Sequence, residues 1–165
     1  MDYTELMNGL ATSVGIEGME LKDGATALEI DGMTVGFIHD QASGDTTDDG
    51  IMVVVEIGYP PPDADGPFGS VMLKANYLLG GTGGAVLCQN PDTDAYAVMR
   101  RYPLASHDVA SFSKALETLL STAENWKEVL SGMREAEDAK DARDAEADDA
   151  EVPPSDFHAG GFLQV

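Results

Sequence analysis

Asp45-Thr46-Thr47-Asp48-Asp49-Gly50, followed by Glu56, sets oxygen-bearing side chains at the spacing of a calcium loop. Asp45, Thr47 and Asp49 would supply the early ligands, Gly50 the sharp bend and Glu56 the closing carboxylate. That chemistry needs a helix on each side of the loop. Here residues 34–38 and 51–57 both read as strands, so the segment is expected to be an acidic, solvated hairpin connection. Gly80-Gly81-Thr82-Gly83-Gly84 suggests a phosphate cradle, but such loops follow a strand and open a helix. This one runs from a helix to a strand with no lysine after it, and is expected to be a tight connection that needs positive φ.

Nucleophiles and metal ligands are equally scattered. His39, His107 and His158 have no second His or Cys at ligand spacing. Cys88, the single cysteine, excludes an internal disulfide and sits in an apolar strand, where a small buried hydrophobe is expected. Ser106-His107-Asp108 are neighbours in sequence, whereas a catalytic triad converges from separate elements, so they read as the start of a helix. No catalytic residue, metal site or cofactor is expected. What remains is binding.

The elements that would position a binding surface can be read from periodicity. Tyr3, Leu6, Met7, Leu10 and Val14 recur at helical spacing, with Gly15 placed to end the helix. The period then changes to two: Leu28 and Ile30, a turn at Gly32, then Met33, Val35 and Phe37 form a hairpin. Residues 51–57 are nearly all apolar, which predicts a central strand covered on both faces. A proline-rich connection leads to a short helix with Phe68, Val71, Met72, Ala75, Leu78 and Leu79 on its apolar side. Residues 85–88 and 95–99 form a second hairpin around Asn90-Pro91-Asp92. The last helix, capped by Ser106 or Asp108, carries Val109, Phe112, Leu116, Leu119, Leu120, Ala123, Trp126, Leu130 and Met133 on one stripe. The expected fold is α+β, in the order α-β-β-β-α-β-β-α, with an antiparallel sheet packed against helices.

Charge narrows the partners. Thirty acidic residues against nine basic ones give a formal charge of −21 over 165 residues, which disfavours nucleic acid and anionic lipid. The start of the chain has no basic region and no long apolar run, and no segment has the ~18 consecutive apolar residues of a membrane helix. A soluble cytoplasmic protein with no membrane insertion is expected. One domain is expected over residues 1–133. An acidic extension over 134–152, with nine acids and three bases up to residue 151, is open between helix and disorder. An apolar segment follows over 153–165.

The order of these pieces resembles the class I type III secretion chaperones, the CesT-like or Tir chaperone family. The resemblance is carried by Leu73-Ala75-Asn76-Leu78, the glycine-rich turn, the strands around Asn90-Pro91-Asp92, the Arg100-Arg101-Tyr102-Pro103-Leu104 strand exit and Ala123-Glu124-Asn125-Trp126 in the last helix. It implies a homodimer that holds a secreted effector or translocator segment in extended form, soluble and ready for export, without ATP. By that resemblance the effector contacts fall on Leu6, Leu10, Leu28, Ile30, Val35 and Phe37, and the dimer interface on Val71, Ala75, Leu78, Val86 and Leu87. Apolar residues at regular spacing also pack internally, and any of the six effector positions could be core. Phe157, Phe162, Leu163 and Val165, beyond the acidic spacer, are open between a frayed end and a segment that occupies the client groove in the free protein. The alternative is a regulatory or scaffolding dimer of similar fold that binds a folded partner and has no part in secretion.

Overall fold

The computed structural model describes residues 1–16, 21, 24–41, 48–60 and 67–150. The first helix, α1 (Tyr3–Ser13), opens with a reciprocal cap: the Asp2 carboxylate accepts from the Glu5 N–H at 2.8 Å, and the Glu5 carboxylate accepts from the Asp2 N–H at 3.1 Å. Beyond Val14, Gly15 takes a φ of +76°, the left-handed geometry that ends helices. Between the caps, Tyr3, Leu6, Met7, Leu10 and Ala11 form the buried stripe, while Val14 points to solvent.

Among the described residues five strands follow in one antiparallel sheet: β1 (Ala25–Ile30), β2 (Met33–Asp40), β3 (Gly50–Gly58), β4 (Val86–Gln89) and β5 (Tyr96–Pro103), in spatial order β1-β2-β3-β5-β4. Asp31 and Gly32 join β1 to β2 with φ of +51° and +73°, the mirror-image turn whose twist suits a two-residue hairpin. Between β3 and β4 lie α2 (Pro67–Asn76) and a 3-10 turn at Tyr77–Leu79. Proline at the first position of α2 lacks only an N–H that no helical partner would accept. The last helix, α3 (Val109–Ala150), is capped by Asp108, whose carboxylate accepts from the Ser111 N–H at 2.8 Å while Ser111 Oγ accepts from the Asp108 N–H at 3.0 Å.

Side chains alternate across the sheet, and one face makes the core. Met33, Val35 and Phe37 of β2 meet Ile51, Val53, Val55 and Ile57 of β3, and Leu87, Val98 and Tyr102 complete the row toward β4. Both α1 and α3 pack on this face. Tyr3 donates to the Phe37 carbonyl at 3.3 Å and its ring stacks on His39 at 4.7 Å; Tyr102 donates to the Ala115 carbonyl at 3.3 Å and meets Phe112 edge-on. Each fully enclosed aliphatic or aromatic side chain here contributes about 1.5–3 kcal/mol of transfer free energy.

The other face differs from the sequence expectation. β3 is central, but Met52 and Val54, which point away from the helices, are only half-buried, as is Met99, and Ile38 is 46% exposed. The apolar run in β3 therefore reports one covered face and one apolar face that the described residues leave open.

The compact unit spans Met1–Ser131, and Gly132–Val165 forms a second unit. In the latter, the acidic stretch to Ala150 continues α3 as helix. No helix among the described residues is long and apolar enough to cross a membrane.

Candidate binding surface

The two edges of the sheet are chemically unlike. The His39 N–H donates to the Gly24 carbonyl at 2.6 Å, so Gly24 and His39 are a hydrogen-bonded pair, and with Ala25 opposite Ile38 every second residue after Gly24 also faces β2. Ala25, Ala27 and Glu29 must then turn their N–H and C=O groups outward, where β1 has no neighbouring strand among the described residues. Their side chains are all exposed, on the open face.

At the opposite edge the same parity leaves Ala85, Leu87 and Gln89 facing outward from β4, because Asn90 and Ala95 form a bonded pair. Here side chains close the ladder at Ala85 and Leu87. Asn76, the last residue of α2, accepts from the Leu87 N–H at 2.9 Å and donates to the Leu87 carbonyl at 3.0 Å. Thr82, 1% exposed, donates its hydroxyl to the Ala85 carbonyl, and the Ala85 N–H donates to the Thr82 carbonyl at 3.1 Å. An amide side chain thus stands in for the missing strand. Asn76 and Thr82 were not expected as site residues, since an Asn at a helix end and a Thr in a glycine loop both read as local punctuation.

Of the six positions expected to touch a client, Leu6, Val35 and Phe37 are 0% exposed and Leu10 is 2% exposed. They are core, because the face of β2 that carries Val35 and Phe37 is the face α1 covers with Leu6 and Leu10. Leu28 and Ile30 are half-buried on the free edge strand and stay available. The signal overlooked was the exposed Ala25-Ala27-Glu29 side of the same strand.

The positions expected at a dimer interface divide as well. Leu78 is 82% and Val86 38% exposed, Val71 and Ala75 are half-buried, and Leu87 is 3% exposed because it faces Val98 across the ladder. Leu73 and Tyr77, 74% and 75% exposed, and Leu79 at 40% add to the exposed apolar residues of α2 and its exit. Leu78 and Leu79 have φ of +54° and +53°, a conformation that costs a non-glycine residue about 1–2 kcal/mol and takes both residues out of the expected helix. The surroundings hold them there. The Leu79 carbonyl accepts from the Thr82 and Gly84 N–H groups, and Trp126 donates its indole N–H to the Gly81 carbonyl at 3.1 Å while its ring meets Phe68 edge-on. Gly83 and Gly84 supply the positive φ expected of this loop.

The remaining chemistry-bearing residues are structural where described. Gly50 and Glu56 belong to β3, while Asp45 and Thr47 lie outside the described residues. The Arg101 guanidinium pairs with the Asp40 carboxylate and donates to the Asp48 carbonyl, tying the base of that loop to β5. His39 Nε2 lies 3.8 Å from an Asp49 carboxylate oxygen, and His107 packs edge-on between Tyr102 and Phe112. Burial pushes the Cys88 thiol up, away from the thiolate form a nucleophile needs, and likewise raises the Tyr3 and Tyr102 phenols. Asp108 is held below the usual carboxylate range by the hydrogen bonds from Ser111. Phe157, Phe162, Leu163 and Val165 lie outside the described residues.

Solved structures share this architecture. One chain of the HopA1–SchA chaperone–effector complex aligns with a TM-score of 0.60 at 19% identity, covering 76% of this chain and 93% of that one. A chain of the ExsC–ExsE complex gives 0.61 at 18% identity, covering 79% and 97%. A chain of the heterodimeric ExoU–SpcU complex from the type III secretion system of Pseudomonas aeruginosa gives 0.53 at 18%, covering 74% and 92%. No curated protein matches the sequence significantly. The model of the Tir chaperone protein (CesT) family matches residues 5–127, from the first turn of α1 to the middle of α3, and the chain belongs to that family.

Proposed function

We propose that the chain is a secretion chaperone that takes an extended segment of a secreted effector or translocator as an added strand on β1, keeping it soluble and competent for export without nucleotide. The observation that carries this reading is the contrast between the edges: β1 leaves Ala25, Ala27 and Glu29 with outward backbone groups, whereas Asn76 and Thr82 close β4. Membership of a chaperone family supports it, as do the chaperone–effector complexes among the structures of like fold. Leu28 and Ile30 would meet every second client side chain on the helix-covered face. The protein works in the bacterial cytoplasm, has no catalytic chemistry of its own, and pairs as a homodimer through Leu73, Tyr77, Leu78 and Val86 together with Val71 and Ala75. In the free protein the apolar terminus, Phe157 to Val165, competes for the client site.

Co-expression with the proteins encoded beside it, followed by pull-down and light scattering, tests the reading. Two copies bound to the N-terminal region of one neighbour, with no effect of nucleotide, is the expected result. A dimer that emerges alone or binds only a folded partner would replace it with a regulatory scaffold.

A further inference from the structure

Ala27, Gly36, Val54, Met99 and Val86 stand opposite one another in register and form one row across all five strands on the open face. At the two positions nearest the free edge the row has no side chain, at Gly36, and then a single methyl group, at Ala27. Ile38, 46% exposed, borders this shallow strip on one side along β2; Thr34 borders it on the other, with Glu29 beside Ala27 on β1.

The missing side chain at Gly36 is not required by the backbone. Its φ lies outside the left-handed region, and a Cβ built there would stand 3.7 Å from the Val54 carbonyl oxygen and 3.9 Å from Val54 Cβ, which is ordinary contact. Glycine inside a strand weakens it, and where neither a turn nor a bulge needs it, glycine marks a place where another group approaches closely. The group must come from the edge, since the strip opens outward past Ala27.

We propose that the strip over Ala25, Ala27 and Gly36 seats a bulky apolar side chain of the client strand, and that a basic residue lies two positions from it, opposite Glu29. This rests on the reading that clients add at β1. A side chain opposite Ala27 on a sixth strand projects onto the open face, crosses the alanine methyl and ends over Gly36 against Ile38 and Val54. Two positions along, the same face meets the Glu29 carboxylate in a protein of formal charge −21, where a Lys or Arg is favoured. The intervening client residues turn to the other face, toward Leu28 and Ile30. Recognition is then a strand with apolar residues on one side and a large apolar residue paired with a cation on the other.

Random 12-residue peptides displayed on phage, selected on the full-length chain, test this. The expected winners carry Phe, Leu, Ile, Met, Trp or Tyr two positions from Lys or Arg. A synthetic winner should bind Ala27→Leu and Gly36→Ala about tenfold more weakly by fluorescence anisotropy, the effect of excluding part of one large side chain. Both variants should melt no lower than the parent, since Ala27 is exposed and Gly36 has room for a methyl group. Asp92→Asn, in the β4–β5 turn, should bind like the parent. Ala27→Pro removes only an outward N–H and should abolish binding. Winners without the pattern, or winners that tolerate Ala27→Leu and Gly36→Ala but not Ala27→Pro, overturn the strip and leave the edge reading standing. Winners that also tolerate Ala27→Pro, or no enrichment at all, overturn both.

Discussion

Replacing Asn76 tests whether a side chain really takes the place of a strand at β4. In the native protein its amide makes two hydrogen bonds to the backbone of Leu87, at 2.9 and 3.0 Å, and Leu87 itself is 3% exposed. Asn76→Ala strands one N–H and one C=O in a part-buried setting. At about 1 kcal/mol per net hydrogen bond the loss is about 2 kcal/mol. For a folded unit the size of Met1–Ser131, that corresponds to a fall of roughly 6–10 °C in melting temperature. Asn76→Asp is the sharper probe. Its carboxylate can still accept from the Leu87 N–H, but the second oxygen now faces the Leu87 carbonyl where a donor stood. The folded state therefore favours the protonated acid, and the carboxyl pKa rises above its unfolded value near 3.9. Stability referred to this group is fully present below the unfolded pKa and is lost as pH rises through the folded one. Urea titrations of parent, Ala and Asp variants at pH 7 and at pH 4.5, with amide exchange read at Leu87, give the numbers. The Asp variant should be the weakest at neutral pH and recover part of the deficit in acid. If it matches the parent at pH 7, or Leu87 exchange is unchanged in the Ala variant, the edge-capping argument is wrong.

Other consequences are simpler to score. Leu6→Ala should lower unfolding free energy by about 2–5 kcal/mol in a urea titration, because Leu6 is 0% exposed and its removal leaves a cavity. Leu78→Asp, at an 82% exposed position, should leave the melting temperature nearly unchanged yet convert a dimer to a monomer by light scattering. Burial raises the Tyr3 and Tyr102 phenols, so the stability they contribute is complete below the usual tyrosine pKa near 10 and declines as pH rises through their folded values; alkaline denaturation should track phenolate absorbance and shift to lower pH in a less stable background. Deleting residues 153–165 should tighten client binding by calorimetry, and unchanged affinity would remove the terminal segment from the account.

The order of elements was legible because apolar periodicity changes cleanly from helical in residues 3–14 to alternating in 28–37, and Asp31-Gly32 declares its turn. What periodicity does not declare is which apolar face stays open. Val35 and Phe37 alternate as regularly as Leu28 and Ile30, yet α1 and α3 cover the first pair fully, while the second pair lies on the uncovered edge strand and stays half-buried. In the same way the nearly all-apolar β3 suggested two covered faces, although Met52 and Val54 remain half-buried. The capping of β4 depends on Asn76 meeting Leu87 eleven residues away, a contact that α2 and its left-handed exit create and that no local spacing encodes. Small exposed residues such as Ala25 and Ala27 attract no attention in a sequence, because their importance lies in the room they leave.

One consequence of the unequal edges concerns growth. A sheet with two open edges can join copy to copy, head to tail, without end, which is the geometry of fibres. With Asn76 and Thr82 occupying one edge, a β1 edge finds no β4 edge to continue into. Among the described edges, two protomers can meet sheet to sheet β1 to β1, a symmetric arrangement that uses up the free edge of each. A single client strand on β1 fills the edge that joining would need. Each protomer's sheet has one reactive end, and a client strand on β1 blocks edge-to-edge joining at that end.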